Sequence, residues 1–204
     1  MKRNDAKIWN FYAPFYNIFM RQNQSAYEKM YRRIRKEIYG REVLELAAGT
    51  GLISKNTAET AASYLATDFS ENMLSQAKRG KVPENLRFMK ADASDLAFED
   101  DMFDAVIISN ALHIIPEPEK VLAEIKRVLR PEGLLIAPNF IHETPGLMAR
   151  FTSGLLEKCG IVFEAKWDRN AYHEFLEDNG FKVKTSAVLK ASIPLMYTES
   201  VIRR

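Results

Sequence analysis

An α/β doubly wound domain is the fold this sequence predicts, on three observations. Short apolar runs alternate with helix-period segments along most of the chain. The runs are apolar at nearly every position rather than at every second one. The first of them opens into a loop containing Gly49 and Gly51. Strand and helix in alternation call for right-handed crossovers and hence a parallel sheet, whose strands need no polar positions because helices cover both faces. The 204 residues, 47% hydrophobic and 27% charged, suit one compact domain that buries about 70% of its extended surface.

Ser25 and Glu28 have capping-box spacing, and Tyr27, Met30, Tyr31, Ile34 and Ile38 then share one helical face until Gly40 ends the pattern. Val43 to Ala48, Tyr64 to Phe69, Leu86 to Ala91, Phe103 to Ser109 and Gly133 to Phe140 read as strands buried on both faces. Glu117 to Arg130 reads as a helix, with Val121, Leu122, Ile125, Val128 and Leu129 on one side and Glu124, Lys126, Arg127 and Arg130 on the other. Arg130 to Gly133, with Pro131 between, marks a sharp stop and turn. Glu143 to Gly160 reads as a helix where a loop would suffice, and Asp168 to Asn179 as another that ends at Gly180. Phe181 to Leu189 and Ile193 to Ile202 read as two closing strands, an antiparallel pair.

Composition removes several classes of function. Nine glycines and eight prolines are too few for a collagen-like or low-complexity chain. A single cysteine, Cys159, forms no internal disulfide, and no stretch approaches the roughly 18 apolar residues of a spanning helix, so a soluble, cytoplasmic protein is expected. The net charge of +2 is too small for polyanion binding by the whole molecule. Residues 1–40 nevertheless carry an excess of six positive charges, which leaves −4 on the rest. This arm is either a solvated helix face or a weak contact for an anionic surface such as phospholipid headgroups. The sequence offers no nucleic-acid recognition motif, no metal-ligand spacing among its three histidines and one cysteine, no Walker loop and no nucleophile elbow.

The chemistry concentrates at predicted strand ends. Val43 to Leu52 is an apolar strand running into a two-glycine loop and a helix, a turn that lets backbone N–H groups approach a ligand. Gly49 to Ser54 nearly matches the dinucleotide fingerprint, but Ser54 replaces its third glycine, so a nicotinamide or flavin enzyme stands as an alternative. Glu45 sits poorly beside a pyrophosphate and suits a ligand with an ammonium or sulfonium group, unless it only accepts hydrogen bonds from the loop. Asp68, nineteen residues after Gly49, can accept both hydroxyls of a ribose; it can equally cap a helix, for which Ser70 is as good a candidate. Asp92, followed by Ala93, can accept from an exocyclic adenine amine or serve as an ordinary turn residue.

Taken together, Glu45, Gly49-Thr50-Gly51, Asp68, Asp92-Ala93, Phe103 to His113 and Leu129 to Leu134 resemble, in order, the motifs of class I S-adenosylmethionine-dependent methyltransferases. The resemblance runs from about Glu42 to Phe140 and is specific as a set. It implies a Rossmann-like, seven-stranded, mostly parallel sheet with helices on both faces and the last strand antiparallel. The cofactor, S-adenosylmethionine, would then lie over the carboxyl ends of the first strands. By the same resemblance, Asp68 holds the ribose hydroxyls, Asp92 reads the adenine amine, the Gly49 and Gly51 loop supports the methionine portion, and Asn110 and Ala111 lie near the methionine tail. Tyr16, Phe69, Met73 and Ala93 complete the implied cofactor contacts. Ala47 stands where the family has its first loop glycine, so the turn there is expected to avoid positive φ.

Trp9 to Asn17 resembles the Tyr-containing lead-in of the quinone-biosynthesis and phospholipid N-methyltransferase branch, with Asn17 where an aspartate is common. Residues 1–40 are thus expected to form a helical cap, and 41–204 the cofactor-binding domain with a helical insert at 143–160. In that branch the lead-in folds over the cofactor; Tyr12, Phe15 or Tyr16 would shield the sulfonium, with cation–π attraction of roughly 0.5 to 2 kcal/mol, or else pack on the domain surface. The expected reaction is methyl transfer by in-line displacement to a small-molecule or lipid-like acceptor. Orientation alone contributes about 7 to 11 kcal/mol to such a step. His113, just past the fourth strand, is the first candidate for a general base, with His142 and Glu143 next, on the acceptor side. A structural role for His113, a nucleotide-dependent oxidoreductase, and a non-catalytic scaffold of the same fold are the competing readings.

Overall fold

The computed structural model describes residues 23–142 and 164–203. Tyr16, the aromatic lead-in and the expected insert helix at 143–160 lie outside them. Helix α1 (Gln24–Glu37) leads into β1 (Glu42–Leu46), the short α2 (Ser54–Thr57), β2 (Ser63–Asp68), α3 (Glu71–Ala77), β3 (Leu86–Lys90) and β4 (Phe103–Ile108). Then come α4 (Pro118–Val128), β5 (Leu129–Ile136), β6 (Asn139–Phe140), α5 (Arg169–Asp178), β7 (Phe181–Leu189) and β8 (Leu195–Ile202).

β3, β2, β1, β4 and β5 lie side by side and all parallel. β8 runs antiparallel to β5 and β6 along one edge and to β7 along the other, so β6 prolongs the line of β5 beyond Pro138. Among the described residues eight strands therefore fill the seven positions expected, and the last strand is the antiparallel one.

The side chains explain the continuous apolar runs. Val43, Ala66, Ala105, Ile107, Leu134 and Ile136 pack with α1 on one face, whereas Leu44, Leu46, Val106, Ile108 and Leu135 pack with α4 and α5 on the other. Central strands thus alternate between two dry faces and have no position for a polar side chain to reach water. β3 departs from the expectation, because it is the outer strand. Only its Leu86 is buried, while Arg87, Met89 and Lys90 are exposed.

Local expectations met tertiary competition in two further places. Ser25 does not cap α1. Asn23 precedes the helix, and its side-chain oxygen accepts from the Ser192 N–H instead, a bond that ties the helix start to the loop before β8. The turn at Arg130 to Gly133 is a wide bulge inside β5: β4 advances from Phe103 to Ala105 while β5 advances from Leu129 to Leu134. That detour throws Arg130 sideways to donate to Asp104 and Glu42, each at 2.6 Å, closing the amino ends of β1 and β4. A Cβ on Gly133 would stand 2.7 Å from Leu129 Cδ2 and 2.8 Å from the Arg130 carbonyl, which is why glycine makes the bend. Among the described residues no helix is long and apolar enough to cross a membrane.

Candidate active site

The site is assembled at the carboxyl ends of β1, β2, β3 and β4. After β1 the backbone turns left-handed three times in five residues, at Ala47 (φ +51°), Gly49 (+56°) and Gly51 (+73°). The expectation that Ala47 avoids positive φ is thus corrected. A left-handed alanine costs about 1 to 2 kcal/mol, and neighbouring hydrogen bonds to β2 hold it there. Ala48 N–H donates to the Thr67 carbonyl at 2.9 Å, and the Thr67 hydroxyl donates to the Glu45 carbonyl at 3.0 Å. Gly49 has no heavy atom within 4 Å of where a Cβ would stand, so its backbone faces open space. At Gly51 a Cβ would press on Phe88 at 3.1 Å and Ala77 at 3.2 Å. The helix expected after this loop has only four residues, α2, so the loop's own N–H groups matter more than a helix dipole.

Asp68 joins the loop to β2. Its Oδ2 accepts from Gly49 N–H at 2.7 Å and its Oδ1 from Ser70 N–H at 2.8 Å. Burial raises its pKa and the Ser70 and Gly49 N–H groups pull it back. Ser70, not Asp68, caps α3, accepting from Met73 N–H at 3.1 Å. Phe69 follows at the strand end, half exposed, and Met73 is buried in α3. Asp92 is exposed just past β3, where its Oδ1 accepts from the backbone and hydroxyl of Ser94 in a tight turn, with Ala93 half-buried beside it.

Glu45 is buried, and its Oε2 accepts from the Tyr64 hydroxyl at 3.0 Å. Burial pushes its pKa up to about 8, against the lowering influence of Tyr64 and Ser54. Burial thus shifts the carboxyl group that was expected as an anion towards its protonated form at neutral pH.

Across from β1, Asn110 ends β4 with φ +52°, a conformation asparagine tolerates better than most residues. Its N–H donates to the Pro138 carbonyl, its Nδ2 donates to the Tyr27 hydroxyl at 2.8 Å, and its Oδ1 is buried without a partner. Ala111 is buried next to it. His113 is buried too, edge-on to Phe140, with Nδ1 2.7 Å from Asn139 Oδ1. Asn139 Nδ2 donates to the Phe140 carbonyl. Its oxygen therefore accepts from Nδ1–H of His113, and the ring's lone pair is on Nε2. Burial pushes His113 down to about 4, with the Asn139 bond opposing and His142 adding to the fall. The segment after the undescribed residues closes on this corner: Glu164 and Ala165 N–H donate to the His113 carbonyl, and His142 N–H donates to that of Trp167.

Sequence reasoning missed Tyr27, Tyr64 and Asn139. Tyr64 becomes legible only with register, since Glu45 pairs with Ala66, two residues further along β2. Glu45, with its folded pKa above the unfolded one, stabilises the protein below about pH 4.5 in a way that is lost as pH rises towards about 8. Between those values the thermal midpoint of the wild type should fall more steeply with pH than that of Glu45→Gln; parallel curves would mean an ordinary, ionised Glu45.

Residues 44–137 match the methyltransferase domain family. The demethylmenaquinone methyltransferase of Clavibacter sepedonicus is 44% identical over 104 residues, 50% of this chain and 42% of that protein. That of Renibacterium salmoninarum is 36% identical over 151 residues, 71% of this chain and 63% of the relative. The chain thus spans about half the length of the curated relatives it matches. The fold superposes on a chain from the complex between the Haloferax volcanii Trm112 methyltransferase activator and a methyltransferase, with TM-score 0.79, 18% identity and coverage of 96% of this chain and 98% of that one. It also superposes on DhpI in complex with SAH, with TM-score 0.75, 21% identity and coverage of 97% and 95%. Residues 44–137 thus resemble a methyltransferase domain in sequence, and the chain shares the overall fold of these two solved structures.

Proposed function

We propose that the protein is a cytoplasmic enzyme that moves the methyl group of S-adenosylmethionine to a small, quinone-like or lipid-like acceptor. The observation that carries the reading is the set of unused polar atoms at the carboxyl edge of the sheet. Asn110 Oδ1 is buried without a partner, and the Glu45 carboxyl is desolvated. They stand around a loop whose Gly49 leaves its backbone open. Such atoms fit a ligand that brings hydroxyls, an ammonium group and a cationic sulfur. The names of the relatives support a quinone-like acceptor.

Each oxygen of Asp68 accepts one backbone N–H and keeps a lone pair for a ribose hydroxyl. Asp92 and Ala93 would meet the adenine amine, and Phe69 and Met73 its ring. Ala47, Gly49 and Gly51 support the methionine portion, and Glu45, Asn110 and Ala111 its amino-acid end. Bound S-adenosylmethionine supplies an electrophilic methyl on a sulfur that leaves as a neutral thioether once the acceptor's electron pair takes the methyl. His113, neutral at pH 7, takes the acceptor's proton on Nε2, and His142 lies on the acceptor side. A dinucleotide is disfavoured, because its pyrophosphate would have to sit beside the Asp68 carboxylate, which occupies the Gly49 N–H.

The test is calorimetry with S-adenosylhomocysteine and with NADH. Homocysteine-adduct binding that weakens roughly tenfold or more in Asp68→Ala is expected; tight NADH binding in its absence would replace this reading by an oxidoreductase. His113→Ala should retain that affinity and lose turnover, and undiminished turnover across the pH range would make the residue structural. The outward face of α1, with Lys29, Arg32, Arg33 and Lys36 exposed, is where the basic arm would lean on anionic headgroups. Vesicles rich in phosphatidylglycerol should sediment the wild type and not the Lys29→Glu, Arg32→Glu double variant; equal sedimentation with neutral vesicles would count against such a contact.

A further inference from the structure

Of three hydrogen-bonding groups on Asn110 two are committed, its N–H to the Pro138 carbonyl and its amide nitrogen to the Tyr27 hydroxyl, while its amide oxygen is buried without a partner. A buried carbonyl oxygen left unsatisfied is costly, and in a native structure it calls for an explanation. The left-handed backbone at Asn110 adds to that cost, because residues other than glycine adopt it mainly at turns and functional sites. Both features lie at the carboxyl edge of the sheet, which also carries the buried Glu45 carboxyl. β1 and β4 are paired neighbours, with Leu46 opposite Ile108, so Asn110 follows two residues beyond the last registered pair, beside the loop that starts at Ala47.

The residue that meets the amide nitrogen comes from outside the sheet. Tyr27 stands in the first turn of α1, 83 residues away in sequence. α1 is itself anchored at its start by the Asn23 bond to Ser192, and Arg33 lies 5.5 Å from the centre of the Tyr197 ring, so the hydroxyl is presented from a fixed helix. With the Asn110 nitrogen donating to that hydroxyl, the oxygen is the end left for a ligand.

We infer that Tyr27 is a positioning residue for the cofactor: it orients Asn110 so that Oδ1 accepts a hydrogen bond from the ammonium group at the amino-acid end of S-adenosylmethionine. An ammonium is the group this oxygen fits, since an amide oxygen accepts hydrogen bonds and donates none. The inference rests on the methyltransferase reading, and its test separates the two.

The experiment compares two ligands on the full chain by calorimetry. S-adenosylhomocysteine carries the ammonium; 5′-methylthioadenosine has the same thioether nucleoside without the amino-acid end. Tyr27→Phe removes one hydroxyl and should weaken S-adenosylhomocysteine roughly tenfold while leaving methylthioadenosine affinity unchanged. Asn110→Gly, which keeps the left-handed backbone without strain, should show the same discrimination. Adding Tyr27→Phe to Asn110→Gly should then bring no further loss, because the two act as one unit. Equal weakening of both ligands would make Tyr27 a structural residue only, and additive losses would break the link to Asn110; either overturns the inference while the cofactor reading stands. A wild type that binds neither ligand would overturn the cofactor reading and this inference with it.

Discussion

The hold of β2 on the loop after β1 is the constraint from which the rest of the site follows. A chain that turns left-handed at Ala47, Gly49 and Gly51 exposes several N–H groups that regular strands would pair. Two of them are satisfied from the next strand, Ala48 by the Thr67 carbonyl and Gly49 by the Asp68 carboxylate. These bonds keep the loop folded back against the sheet edge, so that the backbone at Gly49 is open while Gly51 lies tight against Phe88 and Ala77. Asp68 thus has a structural duty whatever else it binds, and that duty keeps its carboxylate at the mouth of the cleft.

Burial then sets the electrical state of the site. The same desolvation raises Glu45 and lowers His113, since in each case it opposes the charged form. At neutral pH burial therefore favours the uncharged form of both side chains.

Rigidity comes from both ends of the sheet. At the amino ends, Arg130 bridges Asp104 and Glu42. Beside them Arg127 donates to the carbonyls of Leu96 and Phe98 and to Glu124 and Asp100, fastening the loop that follows Asp92 onto α4. At the carboxyl ends α1 reaches from the β8 side of the molecule to Asn110, and residues 164–167 close over His113 and His142. The cleft is therefore framed by segments far apart in sequence, each fixed by its own hydrogen bonds.

Much of this was legible in the chain as written. Runs such as Val43 to Ala48 and Phe103 to Ser109 declare central strands because a strand between two dry faces has to be apolar throughout, and Asp68, Gly49 and Gly51 fall where an α/β sheet places its ligand loop. What the chain could not declare are the consequences of distant contact. The left-handed Ala47, the exposed β3, the loss of the Ser25 cap to an Asn23–Ser192 bond, the proton on Glu45 and the pairing of Tyr27 with Asn110 each depend on a partner outside the local window. Periodicity reports which side of an element faces the core, because that is set by 3.6 or 2 residues per repeat; which group meets which across the core is set by strand order and register, and those exist only once the chain has folded.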